Sequence, residues 1–294
     1  MSALVQEAKV KSAFESGWSV KSACALLDLP RSTWYRWCAS EALPDPDIEL
    51  RDEIQKLALE KSVYGYRRIT AALKRQGLLV NHKHVLRIMR EDNLLCLRKL
   101  RFITTTDSEH GLTVYPNLAR DMQVNGLNQL WVSDITYIKL RGEFVYLAVI
   151  LDAFSRRVIG WELSRRMDAA LTTSALKMAL STREVKPGLV HHSDRGVQYA
   201  STEYTNLLKG SGITISMSRR GNPYDNAMAE SFMKTLKYEE VYLTEYANLS
   251  EARSRISHFL EQVYNCERLH SRIGYVPPVE FEAQFILNNQ PAIH

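Results

Sequence analysis

The sequence predicts a mixed α/β protein, with small helical modules at the front and then a partly antiparallel sheet flanked by helices. Hydrophobic spacing is helical up to Asn93 and becomes strand-like from Leu130. From there the order is three strands, helix, strand, helix, strand, helix, which is a mixed α/β order. The chain has 294 residues, 45% hydrophobic and 24% charged, enough to bury a sizeable core.

At the front, AKVKSAFESGW and SVKSACALLDL show apolar residues at helical spacing; Pro30 breaks the pattern and Ser32 can cap a third helix, STWYRWC. Residues 1–40 therefore read as a helix-turn-helix-like segment, although any small three-helix bundle has the same layout. EALPDPD, acidic and twice proline-bearing, reads as a linker. A basic helical domain over residues 47–101 follows: a helix from Ile48 to Lys61, an aromatic turn, RRITAALKRQG, and HKHVLRIMREDN capped by Asn81. Ile69, Leu73, Leu78, Val85, Ile88 and Met89 are its expected core. Residues 98–125 read as a connector. The α/β part, residues 125–240, holds strands in WVSDITYIKL, FVYLAVILDAF, RRVIGWEL, LVHHSD and ITISMS. Its helices are DAALTTSALKMALS, TEYTNLLKGSG and a long one from Ala227 to Glu240, opened by the loop RRGNPYDN. Residues 241–294 form a C-terminal helical extension.

Charge is unevenly divided. Residues 1–120 carry 19 basic and 14 acidic side chains, residues 121–294 carry 19 of each, and residues 51–101 alone carry 13 basic against 5 acidic. Such a concentration suits a polyanion, because each phosphate neutralised releases condensed counterions. Arg67, Arg68, Lys74, Arg75, Lys83 and Arg87 are the expected phosphate contacts; a solvated helical face is the bland alternative. No apolar run approaches the roughly 18 residues that span a bilayer, and the first residues lack a secretory signal's apolar stretch. The expected location is the cytoplasm. Four scattered cysteines give no disulfide framework, and His82 and His84 upstream of Cys96 are the one faint zinc arrangement, set against a surface histidine pair.

Three carboxylates stand out by position. Asp134 lies mid-strand, where an acid is costly without a metal or strong partner. Asp194 ends the apolar strand LVHH, and Glu230 opens the last core helix. Ligands gather at strand ends in open α/β sheets, and hard divalent cations such as magnesium or manganese favour carboxylate oxygens. Two ions about 3.5–4 Å apart can activate an attacking oxygen and stabilise the leaving one at a phosphodiester. Asp152 is the decoy, expected to be structural. His191 and His192 point to opposite faces, so at most one joins a site. Asn222 and Asn226 can cap the helix bearing Glu230. Lys234 and Lys237 follow Glu230 near its helical face and are further expected DNA contacts, Lys237 to a phosphate next to the acids; an i to i+4 Glu230–Lys234 pair is the bland alternative.

Asp134, Asp194 sixty positions on, and Glu230 after thirty-five intervening residues resemble the D-D-35-E pattern of retroviral integrases and bacterial insertion-element transposases. W-x-x-D-I-T-Y, L-D-x-F-S-R-x-x-x-G-W, H-S-D-R-G-x-Q-Y, G-N-x-x-D-N-A-x-A-E-S-F and Lys237 seven places after the glutamate match as well. So do Y-G-Y-R-R-I upstream and the Tyr264–Pro278 ending, which resemble second-reading-frame products of elements that fuse two frames. The resemblance covers about residues 50–285. It implies an RNase-H-like core with a mixed five-stranded sheet and helices on both faces, preceded by helix-turn-helix modules. It also implies magnesium dependence, element-end and target DNA as substrates, a homo-oligomer on DNA and an upstream-frame fusion partner. The retroviral zinc module is not evident. Two other functions share these acids: a hydrolysis-only nuclease, which has no need of two basic helical modules, and a catalytically silent DNA-binding regulator, against which three intact acids argue. No tyrosine sits in an Arg/His context suited to a tyrosine recombinase.

Overall fold

A computed structural model of the chain describes residues 12, 17–41, 45–96, 112–219 and 223–289, and divides it into two compact units, residues 1–60 and 61–294. In the first unit, α1 (Val20–Leu26) is capped by Ser19, whose side chain accepts from the Ser22 amide. It packs with α2 (Arg31–Glu41) around Ala23, Cys24 and Trp34. Helix α3 (Ile48–Glu60) buries Ile54 and Leu57. Most of the first expected helix and the first half of the connector lie outside the described residues.

The second unit opens with α4 (Tyr66–Arg75) and α5 (His82–Glu91). Asn81 caps α5 by accepting from Lys83 N at 2.9 Å, as expected from its place before an apolar-periodic run. Ile69, Leu73, Val85, Ile88 and Met89 are fully buried. Leu78 is not; it sits 41% exposed in the turn after α4, because the helix ends at Arg75 and carries it off the packed stripe.

Five strands form one sheet: β1 (Leu130–Lys139), β2 (Phe144–Asp152), β3 (Val158–Ser164), β4 (Val190–Ser193) and β5 (Thr214–Met217), in the order β3-β2-β1-β4-β5. The pairs β1–β2 and β2–β3 are antiparallel, while β1–β4 and β4–β5 are parallel. That division follows the connections, since hairpins join the first three strands and helical crossovers the last two. One face is covered by α6 (Ala169–Thr182), the single turn α7 (Val197–Ala200) and α8 (Thr202–Gly210). The other is covered by α9 (Ala227–Glu239) and by α10 (Leu249–His258), which continues as π-helical turns over Phe259–Glu267. The mixed sheet with helices on both faces is the expected one. A 3-10 turn over Pro223–Asn226 stands where a loop was expected.

Helix α11 (Pro278–Asn288) anchors the C-terminal extension through a buried carboxylate. Glu282, 4% exposed, accepts from Ser155 Oγ at 2.6 Å, Arg157 at 2.6 Å and Arg183 at 2.7 Å. Asp152, in the same region, accepts from the amides of Asn128, Phe154 and Ser155 and so closes the β2–β3 turn. The decoy acid is thus structural. Among the described residues no helix is long and apolar enough to cross a membrane.

Gly160 in β3 is fixed by close approach: a Cβ there would run into the Ala175 carbonyl and stand 3.0 Å from Ala179 Cβ on α6. Gly160→Ala should therefore destabilise the unit by about 1–3 kcal/mol. Thermal unfolding of purified protein reads this, and an unchanged midpoint would mean that α6 moves away at no cost.

Candidate active site

Strand alternation sets the site. Val132, Val149 and Leu151 belong to the core beneath α9, so Asp134, two residues beyond Val132, projects to the same face. Strand β1 runs parallel to β4 with Val132 opposite His192. Two residues further, the register sets Asp194 beside Asp134. Helix α9 crosses this face with Phe232, Met233 and Leu236 buried, which leaves Glu230 in its first turn. Asp134 and Glu230 are both partly buried, as is Asp194.

The three acids sense one another. Burial and then the charge of Asp194 push the Asp134 carboxyl up to about 7, with Glu230 adding a smaller push. An Ile135 amide hydrogen bond of 2.9 Å and the attraction of Lys237 oppose the rise. Asp194 accepts from Gly196 N at 2.9 Å, and a Cβ at Gly196 would lie 3.0 Å from the same carboxylate oxygen. Glycine there leaves the loop room to turn around the acid.

Lys237 Nζ lies 4.7 Å from the Tyr137 ring centroid, and burial lowers its pKa. Lys234 is exposed on α9. Asn226 is at the N-cap position but makes no side-chain cap hydrogen bond. The expected capping role is therefore replaced by another: its Nδ2 donates to the Ser133 carbonyl at 3.0 Å, tying the start of α9 to the strand residue before Asp134. The 3-10 turn, which brings the chain into α9 over Pro223–Asn226, accounts for the change. Asn222 lies outside the described residues.

Beneath the acids, on the opposite face, is a buried polar layer that sequence reasoning missed. Ser133, Tyr199 and Tyr204 are buried side by side, and Tyr204 Oη lies 2.9 Å from His191 Nε2. Burial, then Tyr204, Asp134 and Asp194, raise the Tyr199 pKa. The available signal was alternation, since the neighbour of an outward Asp134 must face inward. His192 points to the other side and lies between Ser216 Oγ at 2.8 Å and Ser218 Oγ at 3.0 Å. Burial keeps it neutral, and burial plus His192 pushes His191 down to about 3. Neither histidine is placed as a ligand.

Of the basic candidates, Arg67, Lys74 and Arg75 line one groove of about 630 Å³ with His82 and Tyr275. Arg75 is held bidentately by Glu280 at 3.0 and 2.7 Å, and Arg68 pairs with Glu239 at 3.1 Å. On α5, Lys83 is exposed and Arg87 pairs with Glu91 at 2.9 Å. His82 stacks against Tyr66, and His84 Nε2 lies 2.8 Å from Arg87.

Comparison with known proteins now bears on this geometry. Residues 125–223 and 211–278 match models of the integrase core domain, and residues 45–102 match an HTH-like domain. The chain is 37% identical over 269 residues to the insertion element IS600 uncharacterized 31 kDa protein of Shigella sonnei, covering 89% of this chain and 98% of that one. It is 36% identical over 274 residues to the transposase InsF for insertion sequence IS3A of Escherichia coli K12, covering 91% and 95%. The chain belongs to the insertion-element transposases of the integrase-like superfamily. Its core is RNase-H-like. A solved neighbour is the HTLV-2 integrase catalytic core domain in complex with magnesium, with TM-score 0.41, 19% identity, and coverage of 53% of this chain and 96% of that one.

Transposases of this family act on DNA, and the family implies dependence on a divalent metal. The donor set fits such an ion chemically, being three carboxylates whose mutual repulsion a hard cation would relieve. Among the described residues, however, no group of three or more His, Cys, Asp or Glu is drawn together closely enough to hold an ion.

Two expectations follow. Asp134 is shifted upward, so its contribution to stability is fully present below its unfolded pKa near 4 and is lost as pH rises through about 7. Asp134→Asn should therefore raise the unfolding midpoint of the metal-free protein more at pH 8 than at pH 5; an equal gain at both would show an unshifted carboxyl. Asn226→Ala removes the hydrogen bond to the Ser133 carbonyl and should cost about 1 kcal/mol, read by chemical denaturation.

Proposed function

We infer that the protein cleaves DNA at the ends of an insertion element and joins the freed 3′-hydroxyl to target DNA. The observation that carries this reading is the rise of Asp134 to about 7, caused by burial and then by the charges of Asp194 and Glu230, which marks three carboxylates on one face whose repulsion a divalent cation would relieve. Asp134, Asp194 and Glu230 would hold two magnesium ions (manganese can substitute), which activate an attacking oxygen and stabilise the leaving one.

The chain's own groups then do the positioning. Asn226 keeps the start of α9 against β1, so Glu230 stays level with Asp134. The Gly196 amide orients Asp194. Lys237, anchored over Tyr137, offers its ammonium to a phosphate beside the acids. Arg67, Lys74 and Lys83 on the exposed surface of residues 47–101 take the phosphates of element-end DNA, with Arg68, Arg75 and Arg87 held nearby by ion pairs. Residues 125–240 act as the catalytic core and 241–294 as its extension. The working form is a homo-oligomer on DNA, joined by an upstream-frame segment.

The test is strand joining on pre-cleaved element-end DNA with magnesium. Wild type should join. Glu230→Gln and Asp194→Asn should each lower joining by roughly three orders of magnitude while end binding stays within a few-fold. Unchanged joining by Glu230→Gln would remove that residue from the metal site. Hydrolysis without joining would favour a nuclease.

A further inference from the structure

On the flank of α9 next to Glu230 lies a cavity of about 300 Å³ that the mechanism above does not use. Arg68, Arg156, Arg268 and Arg272 line it, with His270 and Ser231. One carboxylate, Glu239, balances two of these arginines, binding Arg268 at 2.7 and 2.8 Å and Arg68 at 3.1 Å. Among the described residues no carboxylate pairs with Arg156 or Arg272. Arg156 Nε is buried without a hydrogen-bond partner, an expensive state for a charged donor unless an anion comes to it. The residue is held there at a φ of 66°, in the left-handed region, at the β2–β3 turn closed by Asp152. Arg268 and His270 are 6% and 8% exposed, so the walls are built rather than draped. Burial, Arg268 and Arg68 keep His270 neutral, its pKa down to about 3, which leaves it a hydrogen-bonding wall and adds no further charge.

The cavity is also close to the acids. Ser231 follows Glu230 directly, and Leu151, on its floor, lies two strand residues from Val149, the ladder partner of Asp134. That step is about 7 Å along a strand. We propose that this cavity is a subsite for one phosphate of the DNA backbone, close to the phosphate being cut, with Arg156 and Arg272 as its ligands and Arg268 fixed behind them. The proposal takes its DNA from the transposition reading; its geometry does not depend on it.

The experiment measures binding of full-length protein to element-end duplexes at several salt concentrations, for wild type and Arg156→Gln/Arg272→Gln. The slope of log affinity against log salt should fall by about 1, with affinity about tenfold weaker at low salt. Duplexes with a single neutral methylphosphonate stepped along each strand should show one or two adjacent positions that weaken wild type about tenfold and leave the double variant unaffected. Equal slopes, or a loss spread evenly over all positions, would overturn the subsite. Should the double variant melt early, Arg272→Gln alone, at an exposed residue, carries the same comparison. Wild type that shows the single-phosphate sensitivity but never joins strands would overturn the transposition reading and leave the subsite standing.

Discussion

The alternation of strand β1 is the constraint on which the rest of the site depends. One register places Asp134 toward α9 and Ser133 toward Tyr199, and a slip of one residue would exchange them, burying a carboxylate among Trp131, Ile150 and Leu176. Two partners hold that register independently. Strand β2 pairs with β1 along nine residues, and β4 pairs with its first three, so the acid in the middle of β1 is fixed by a long antiparallel ladder and matched to Asp194 by a short parallel one. The Asn226 side chain then reads the same strand from above by bonding to the carbonyl of Ser133. Glu230 inherits its position from that bond and from the apolar stripe of α9.

Electrostatics and packing are set against each other here. The fold gathers acids on a partly buried face, and this raises the proton affinity of Asp134. Stability near neutral pH is given up locally, and the core beneath supplies it: Trp131, Tyr199, Tyr204 and Leu208 are all nearly fully buried behind the strand. A second charged layer is neutralised internally, through Glu282 with Arg157 and Arg183 and through Glu239 with Arg68 and Arg268. Both carboxylates join distant stretches of chain, so the C-terminal segment is part of the body that carries the acids.

Much of this was legible in the sequence because it is periodic or local. The five strands, the helix from Ala227 and the Asn81 cap all follow from spacing and from single residues at boundaries, and the three acids stood out as charges in or beside apolar runs. Other features are settled by tertiary contact and had no local mark. Asn226 carries the signature of a cap, yet a 3-10 turn before it redirects its amide to another element. Leu78 has the character of a core residue but falls just past a helix end. Arg68 and Arg268 look alike in sequence to Arg67 and Arg272; which pair is neutralised depends on Glu239, far away along the chain.

The division of the sheet has a consequence for how the molecule comes into being. Strands β1, β2 and β3 follow one another along the chain and pair by hairpins, so they can assemble as soon as residues 130–164 are available. The remaining acids arrive with β4 and α9. At about 5–20 residues per second, the stretch between Asp134 and Glu230 takes several seconds to synthesise. Over that interval the nascent chain bears first Asp134 alone and then Asp134 with Asp194, without Glu230. The three acids therefore come together only once the last core helix has docked.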